Sequence, residues 1–378
     1  MSHIPFNKPF LTGKETIYIE QAVATGKISG DGTFTKKCHA FFEETFGFRK
    51  TLLTTSCTDA LEMAAILLNL QEGDEVIVPS YTFVSTANAF VLRGAKLIFA
   101  DSRADHPGMD EARIEALITP KTKAIVVVHY AGVACDMDII MDIAHRHQLF
   151  VVEDAAQAID SYYKGKPLGS IGHLGAFSFH ETKNIISGEG GMLVINDPQF
   201  IERAEIIREK GTNRSKFFRG EVDKYNWVDI GSSFLPSDII AAFLFAQVEN
   251  LGSIQAKRKL LWDTYWQALQ PIRDLVRLPH VPAYATNNAH MFYLVCKDIK
   301  ERDALIQHLK HKDIHSVFHY ISLHSSPFYA DKHSGLEQKN TDNYSDCLVR
   351  LPLFFELDPE QISARIAPAI IEFYHQKA

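Results

Sequence analysis

The chain has 378 residues, 46% of them hydrophobic and 22% charged, which is the composition of an ordinary globular protein with a sizeable core. Its formal net charge of −7 gives no electrostatic basis for binding nucleic acid, and its five scattered cysteines lack metal-ligand or disulfide-framework spacing. Because no apolar run reaches membrane-spanning length and the start lacks a signal-peptide core, we expect a protein of the reducing cytoplasm without membrane insertion or metal.

The N-terminal part is predicted to contain an extended segment at 1–13 and two helices, one at 14–25 and one ending near residue 46. From residue 51, short and nearly all-apolar strands alternate with helices. The strands are predicted at 51–55, 75–79, 96–100, 124–129, 150–153 and 192–195, and the helices at 56–67, 83–93, 110–118, 136–147 and 198–210. This alternation predicts a mainly parallel sheet covered on both faces, with ligands beyond the carboxyl ends of its strands.

The pattern changes in the last third of the chain. A long helical stretch is predicted from about 237 to 270, and a last helix near 359–375. Between them we predict two strands, a helix and a turn-rich segment, at 291–296, 315–318, 300–312 and 322–345. We therefore expect a large domain over 1–250 and a smaller C-terminal α+β domain over 251–378.

Lys183 lies between an apolar segment that contains Phe177 and Phe179 and a Gly-rich turn that begins at Gly188. A lysine withdrawn from bulk water has a neutral amine near neutral pH, which is the property that a Schiff-base lysine needs. The alternative is a solvated surface charge, which is the usual state of a lysine.

Asp154 directly follows the predicted strand at 150–153. A carboxylate in this place can pair with a protonated pyridine nitrogen and keep the ring able to accept electrons. The alternative is that Asp154 is the N-cap of a following helix, a position that Asp often occupies.

The segment Ser56-Cys-Thr-Asp59 lies between a predicted strand and a predicted helix. Free backbone N–H groups and a hydroxyl at a helix N-terminus suit a phosphate, and Ser178 is a second candidate donor. Capping by Ser56 or Thr58 is the alternative. Phe83 follows another strand, where it either stacks on a flat cofactor ring or packs in the core.

These candidates follow successive strands of one predicted sheet, so their order along the chain predicts a pyridoxal phosphate (PLP) site. The segments that carry a family resemblance are Ser56-Cys-Thr-Asp-Ala-Leu, Gly73-Asp-Glu-Val-Ile-Val-Pro-Ser, Tyr81-Thr-Phe-Val-Ser-Thr-Ala-Asn, Glu153-Asp-Ala-Ala-Gln, Phe177-Ser-Phe-His-Glu-Thr-Lys-Asn and Gly188-Glu-Gly-Gly. With them the whole chain resembles the DegT/StrS family of sugar-nucleotide aminotransferases. The resemblance implies an α/β protein of PLP-dependent fold type I (aspartate aminotransferase-like), with a mainly parallel seven-stranded sheet. It also implies a homodimer whose active sites lie at the subunit interface.

The resemblance assigns roles to individual residues. Lys183 bonds to the cofactor and, with Asp154, is catalytic. The residues implied to bind the cofactor are Thr58, the Asp59 backbone, Phe83, Asp154, Gln157, Ser178, Lys183 and Ser233. Ser233 takes the place of an Asn that reaches the phosphate from the partner subunit, Leu235 that of an Arg, and Cys57 that of a Gly. Some relatives have histidine in place of the lysine and act as dehydratases, which Lys183 argues against.

Longer stretches at 83–96, 129–135, 208–215, 231–235 and 289–293 are similar to family members that act on dTDP-4-keto-6-deoxyglucose. This similarity implies amino transfer from glutamate, which becomes 2-oxoglutarate, to C4 of that dTDP-sugar. The product would be dTDP-4-amino-4,6-dideoxygalactose for surface polysaccharide. Candidate substrate-binding residues are Arg214, His319 and Tyr320. Cationic groups such as the Arg214 guanidinium suit a diphosphate. The alternatives are a solvated charge at Arg214 and a packed aromatic turn at His319 and Tyr320.

Three other functions stay open at this point. The ketone can be at C3, or the nucleotide can be GDP or UDP, since no residue decides this from first principles. A PLP-binding module without turnover is a second alternative. A nicotinamide-dependent reductase is a third, but no Gly-x-Gly-x-x-Gly follows the first strand.

Overall fold

The computed structural model describes residues 3–333 and 335–376. The strands are β1 (Thr51–Thr54), β2 (Glu75–Pro79), β3 (Lys96–Ala100), β4 (Thr122–Val128), β5 (Phe150–Asp154), β6 (Tyr162–Tyr163), β7 (Lys166–Pro167), β8 (Leu174–Ser178), β9 (Gly191–Ile195), β10 (Phe292–Val295), β11 (Val317–Phe318) and β12 (Leu348–Leu351). The helices are α1 (Glu15–Ala24), α2 (Thr33–Phe46), α3 (Cys57–Leu67), α4 (Val84–Val91), α5 (Met137–His147), α6 (Ile201–Arg208), α7 (Arg214–Phe218), α8 (Asp238–Val248), α9 (Leu251–Leu269), α10 (Ile299–His311), α11 (Lys339–Cys347), α12 (Pro359–Gln361) and α13 (Ala367–His375).

A seven-stranded sheet in the order β1-β9-β8-β5-β4-β2-β3 is the centre of the structure. The pairs β8–β5, β5–β4, β4–β2 and β2–β3 are parallel, whereas β9 is antiparallel to both of its neighbours. Six strands thus run in one direction. Nearly all of their side chains are buried, because helices cover both faces and give the sheet one apolar core on each side. The predicted seven-stranded, mainly parallel sheet is confirmed.

A three-stranded antiparallel sheet, β10-β12-β11, forms the centre of the C-terminal part with its own apolar core. Helix α9 contributes Leu251 and Ile254 to a core of the large sheet, and Leu261 to the C-terminal core. Ile4, near the N-terminus, also lies in the C-terminal core and exchanges backbone hydrogen bonds with Asp313 and His315. The division of the chain at residue 250 stays a prediction.

The structure corrects several predicted elements. Strands β6, β7, β8 and β12 were not predicted. The predicted helix at 110–118 consists of two single 3₁₀ turns, Glu111–Arg113 and Glu115–Leu117. The predicted helix at 237–270 is interrupted between α8 and α9, where the Asn250 side chain donates to the Ala246 carbonyl and takes the place of a backbone donor.

The last predicted helix, at 359–375, contains a π-helical turn, Ile362–Ile366, between α12 and α13. Pro368 follows this turn and has no N–H for the regular helical hydrogen bond, which explains the local widening. Within the described residues, no single helix is long and apolar enough to cross a membrane; α8 together with 251–272 meets the length and composition test only as a pair bent by 59°.

Candidate active site

A cavity of about 550 Å³ opens at the carboxyl ends of five of the codirectional strands, β1, β2, β4, β5 and β8, under residues of the C-terminal part. This is the place where open α/β sheets bind ligands. Eight of the predicted site residues line it: Thr58, Phe83, Asp154, Gln157, Ser178, Lys183, His319 and Tyr320. We call it the lysine cavity. Asp59, Arg214 and Ser233 are not among its lining residues.

Lys183 lies in the loop between β8 and β9. Backbone hydrogen bonds hold this loop in shape: the Phe179 N–H donates to the Gly190 carbonyl at 2.8 Å, and the Lys183 N–H to the His180 carbonyl at 2.9 Å. The side chain is half-buried at the cavity wall, and burial lowers the pKa of its amine from 10.5. The interpretation of Lys183 as a solvated surface charge is therefore wrong.

Asn184 fixes the lysine loop against the rest of the protein. Its amide donates to Gln255 Oε1 at 2.8 Å and to the Asn288 carbonyl at 2.9 Å, and its carbonyl oxygen lies 2.9 Å from His290 Nδ1. All four side chains are buried. A satisfied polar network of this kind gives one defined conformation to the residue beside it, which is Lys183.

Asp154 ends β5 with its side chain buried in the cavity wall. Its Oδ2 accepts from Thr86 Oγ1 at 2.6 Å, and its Oδ1 accepts from the Ala156 N–H at 3.1 Å. Burial raises the pKa of this carboxyl, against the opposing effect of the two hydrogen bonds and of Lys183. No helix begins at 155–161, so the alternative of a helix N-cap is wrong.

The N-terminus of α3 forms one end of the cavity. Ser56 caps the helix by accepting from the Asp59 N–H at 3.0 Å, so the predicted capping is confirmed for Ser56. The N–H groups of Cys57 and Thr58 lie in the first turn, where a helix provides no partner for them. The Thr58 hydroxyl donates to Ser85 Oγ at 2.8 Å. This end of the cavity can bind an anion, but the Asp59 N–H is already occupied by Ser56.

Gly191 allows β9 to pass close to this helix N-terminus. A Cβ atom at Gly191 would lie 2.3 Å from the backbone carbon and oxygen of Ser56, which no side chain tolerates. The Gly-rich turn after Lys183 therefore also brings the lysine loop and the anion-binding end together.

Phe83 and Gln157 lie on the walls of the same cavity. Phe83 is 55% exposed and its ring centroid is 6.0 Å from that of Tyr320, so the expectation of core packing is wrong. Gln157 Oε1 accepts from the Ala131 N–H at 2.6 Å, which directs its NH₂ group toward the Tyr320 hydroxyl at 3.4 Å. The two residues thus offer a ring face and a fixed polar group to a ligand.

His319 and Tyr320 reach the cavity from the C-terminal part. His319 Nδ1 lies 3.1 Å from the Tyr130 hydroxyl, and Arg350 Nη1 lies 3.4 Å from His319 Nε2. Burial and the nearby Arg350 lower the pKa of His319, while burial raises that of Tyr320. Both side chains are therefore neutral at physiological pH and serve as hydrogen-bonding groups.

Arg214 and Ser233 line a second cavity of about 800 Å³, which we call the basic cavity. Among the residues that the structure describes, none lines both cavities. The cationic residues of the basic cavity outnumber its carboxylates; they are Lys27, Lys36, Lys50, Arg208, Lys210, Arg214 and Arg219, against Asp31, Glu205 and Glu209. Several of these cations are paired, for example Arg208 with Asp31 at 2.7 Å.

Sequence reasoning missed several residues of the lysine cavity: Thr82, Ser85, Thr86, His180, Thr182, Glu189 and Arg350. Thr82, Ser85 and Thr86 belong to a segment that was singled out for its aromatic residue, so their position was predictable but their function was not. Arg350 lies on β12, which was not predicted as a strand.

The residues of the lysine cavity fit pyridoxal 5′-phosphate by their chemistry. A buried carboxylate, Asp154, forms no ion pair with another described residue and suits a protonated ring nitrogen. The α3 N-terminus suits a phosphate, and Lys183 is a lysine with a lowered pKa. Lys183 and Asp154 interact electrostatically without forming an ion pair, which leaves space between them.

Comparisons with known proteins agree with this site. The model of the DegT/DnrJ/EryC1/StrS aminotransferase family matches residues 10–370. GDP-perosamine synthase of Escherichia coli O157:H7 is 33% identical over 378 residues, which are 100% of both chains. The solved structure of Spr1654 from Streptococcus pneumoniae in its PLP-form, a protein assigned to the sugar aminotransferases, has a TM-score of 0.91 at 26% identity over 100% of both chains. DesV of S. venezuelae has a TM-score of 0.89 at 28% identity over 99% of both chains.

These similarities extend over the whole chain and confirm the predicted family, fold type I and cofactor. The protein therefore belongs to the DegT/DnrJ/EryC1/StrS aminotransferase family, and it is an aminotransferase with pyridoxal 5′-phosphate as its cofactor.

Proposed function

We propose that this aminotransferase moves the amino group of glutamate to C4 of dTDP-4-keto-6-deoxyglucose. The product is dTDP-4-amino-4,6-dideoxygalactose, a precursor of surface polysaccharide such as enterobacterial common antigen. One observation carries the amino-transfer part: Lys183, with an amine pKa lowered by burial, shares a cavity with the buried carboxylate of Asp154. The sugar nucleotide rests on the resemblance of the stretches at 83–96 and 208–215.

The bound cofactor supplies an electron sink for the negative charge that develops at the donor Cα. Lys183 is the group that moves the proton from the donor Cα, since its lowered pKa makes the neutral amine available. Asp154 holds positive charge at the ring nitrogen, and Thr86 and the Ala156 N–H fix the direction of its carboxylate. The Asn184 network keeps Lys183 in place during both halves of the reaction.

The other cofactor contacts follow from the cavity walls. The free N–H groups at the start of α3 hold the phosphate together with Thr58 and Ser178, whose hydroxyls line that end. We assign Gln157 to the ring hydroxyl, because its NH₂ group is the donor that the Ala131 contact leaves directed into the cavity. Phe83 packs on the ring face.

A homodimer with shared active sites explains the basic cavity. Ser233 and Arg214 lie away from the lysine cavity of their own chain, so we assign them to the site of the partner subunit. Phe218, in the wall of the basic cavity, is 67% exposed, and Trp227 is 81% exposed; large exposed aromatic residues are typical of protein interfaces. Sedimentation equilibrium is expected to give a dimer, and a fully active monomer would contradict this assignment.

A GDP-sugar is the second candidate substrate. The name of the Escherichia coli relative, GDP-perosamine synthase, refers to a GDP-linked sugar, and this relative matches the full length of the chain. A 3-keto sugar nucleotide is a further alternative, and the lysine cavity does not distinguish it from a 4-keto sugar. A PLP-binding module without turnover is disfavoured, because Lys183 and Asp154 are both present in the cavity.

The substrate is tested by the second half-reaction alone. The enzyme is first converted to its amino form with glutamate, freed of excess donor and mixed with one keto sugar nucleotide at a time. We expect dTDP-4-keto-6-deoxyglucose to restore the near-visible absorbance band at a lower concentration than GDP- or UDP-linked 4-keto sugars. A lower requirement for a GDP-sugar would move the assignment to that nucleotide, and restoration by a 3-keto sugar alone would move it to C3.

A further inference from the structure

A short segment of the C-terminal part, residues 319–324, carries His319 and Tyr320 into the lysine cavity. The Tyr320 hydroxyl lies 3.4 Å from Gln157 Nε2, and the Tyr320 ring centroid is 6.0 Å from that of Phe83. Tyr320 therefore adjoins both of the residues that are assigned to the cofactor ring. The position of this segment decides how well the two residues are held.

His324 attaches the segment to the large sheet through Ser80, which directly follows β2 and is fully buried. The Ser80 hydroxyl oxygen lies 2.8 Å from His324 Nδ1 and accepts from the His324 backbone N–H at 3.1 Å. The Leu323 N–H donates to the Ser80 carbonyl at 3.0 Å. Because Ser80 precedes Phe83 by three residues, the loop that carries Phe83 is also the loop that receives the segment.

The hydrogen bond between Ser80 and His324 requires an uncharged imidazole. The described residues offer the Ser80 hydroxyl proton no acceptor other than His324 Nδ1, so this nitrogen accepts and Nε2 carries the hydrogen. Burial lowers the pKa of His324, and the nearby His333 acts in the same direction, whereas Asp342 and Asp101 oppose it. The ring is therefore neutral at physiological pH, as this hydrogen bond needs.

We propose that His324 is a positioning residue for amino transfer, which holds the 319–324 segment on the end of β2 and thereby keeps Tyr320 in the lysine cavity. This proposal rests on the cofactor contacts proposed above. The segment is also attached to α11, where the Ser322 hydroxyl donates to Asp342 Oδ1 at 2.7 Å. Without the His324 imidazole the attachment to α11 remains, but the side-chain hydrogen bond to Ser80 is lost.

A hydrolytic triad is the competing interpretation of Ser80, His324 and Asp342. In such a triad the histidine contacts both the serine and the carboxylate, and the serine is open to a substrate. Here Ser80 is fully buried and does not line the lysine cavity. The 3.6 Å between His324 Nε2 and Asp342 Oδ1 is too long for a hydrogen bond. The three residues are therefore suited to attaching the segment and not to nucleophilic attack.

The test measures the affinity for the cofactor as well as activity. His324→Phe is close in size but removes the acceptor, whereas His324→Asn keeps a polar atom near the position of Nδ1. Equilibrium dialysis of each holoenzyme against a series of PLP concentrations gives the dissociation constant. We expect this constant to rise about 10-fold in His324→Phe, because a buried hydroxyl loses its acceptor, and to stay within about 3-fold of wild type in His324→Asn. His311→Phe, at an exposed position of α10, is the control.

Tyr320→Ala shows whether His324 acts through Tyr320. We expect this substitution to weaken PLP binding about 10-fold in the wild-type background, but less than about 2-fold in His324→Phe, where Tyr320 is already displaced. Additive effects, or wild-type PLP affinity in His324→Phe, would overturn the proposal. If His324→Phe does not fold, Ser80→Ala removes the same hydrogen bond and takes its place. If wild-type enzyme bound PLP but showed no half-reaction with glutamate, the proposed donor would be wrong, and the PLP affinities would still decide the role of His324.

Discussion

The two cavities of this protein differ in how they hold charge. In the lysine cavity, burial lowers the pKa values of Lys183 and His319 and raises that of Asp154, so the protein destabilises the charged form of each group. In the basic cavity, Arg208 and Arg219 form ion pairs at 2.7 and 2.8 Å with carboxylates of the same wall. The first environment alters proton affinity, whereas the second pairs cations with carboxylates.

This difference suits the lysine cavity to catalysis and the basic cavity to substrate binding. A group that exchanges protons needs a pKa near the working pH, which desolvation provides. A site for a phosphorylated substrate needs permanent cations, and arginine and lysine supply them. Substitutions in the lysine cavity should therefore change rates, and substitutions in the basic cavity should change affinity. Four predictions test this contrast, beginning with the largest expected effect.

Lys183→Ala should abolish turnover. The variant loses both the bond to the cofactor and the base at the donor Cα, and general base catalysis alone contributes about 10²- to 10⁴-fold. The rate of the glutamate half-reaction, measured by absorbance, should fall by at least that factor. Lys164→Ala removes a surface lysine that is paired with Asp138 and should leave the rate unchanged. Multiple turnovers by Lys183→Ala would contradict the role of Lys183.

Thr86→Val should slow the same half-reaction by about 10-fold, the effect of losing a hydrogen bond to a charged group. The Thr86 hydroxyl donates to Asp154 Oδ2 at 2.6 Å and lowers the pKa of that carboxyl. Without it the pKa of Asp154 should rise, so the acid limb of the pH–rate profile should move to higher pH. Thr86→Ser retains the hydroxyl and should restore both the rate and the profile. A loss of rate with an unmoved acid limb would show a purely structural role.

Lys183→Met should make the cofactor-free protein more stable near neutral pH. Because the pKa of Lys183 is lower in the folded than in the unfolded protein, folding releases a proton from this lysine at pH values between its folded-state pKa and its unfolded pKa of 10.5. Burial of the charged lysine therefore lowers the free energy of unfolding at pH values below the folded-state pKa. This destabilisation disappears as the pH rises to the unfolded pKa. The gain in unfolding free energy of Lys183→Met should therefore shrink as the pH rises toward 10.

Urea unfolding of the two apoproteins at several pH values measures this gain. Lys121→Met, at an exposed position, is the control. A gain that does not change between neutral pH and pH 10 would show that Lys183 is not desolvated.

Arg214→Gln should have the smallest effect. Its side chain is 45% exposed and lies 3.8 Å from Glu209, so it forms a weak, partly solvated contact. We expect KM for the sugar nucleotide to rise by about 2- to 5-fold, with the glutamate half-reaction unchanged. Lys224→Gln, at an exposed position outside the walls of both cavities, is the control. An altered glutamate half-reaction in Arg214→Gln would contradict the proposal that the basic cavity affects the affinity for substrate and not the rate of the reaction.

Much of the sheet could be predicted from the sequence because its strands are short, apolar and separated by helices. β2 and β3 were predicted with their observed bounds, since each is a nearly continuous apolar run. β8 was missed because Gly175 interrupts its apolar pattern, yet a Cβ there would lie 2.4 Å from the Gly169 carbonyl oxygen. The signal for this strand depends on a tertiary contact that the sequence does not display.

The candidate site was predictable where one strand end carries one chemical group. Asp154 and Lys183 were predictable in this way, because the residues next to them in the sequence already indicate a strand end before Asp154 and an apolar segment and a Gly-rich turn around Lys183. Arg350 was not, since it reaches the cavity from a four-residue strand of the other sheet. The placement of Ser233 in a different cavity from Lys183 likewise arises from tertiary folding and has no local signal.

The central claim is that Lys183 and Asp154 make the lysine cavity competent for amino transfer without any sugar nucleotide. The most direct measurement mixes the purified PLP enzyme with L-glutamate alone, and follows the near-visible absorbance band and the 2-oxoglutarate that is released. We predict that the band shifts to shorter wavelength and that about one 2-oxoglutarate is released per cofactor, as the first half of a two-step transfer requires. An unchanged band, or a shift without release of 2-oxoglutarate, would contradict the claim.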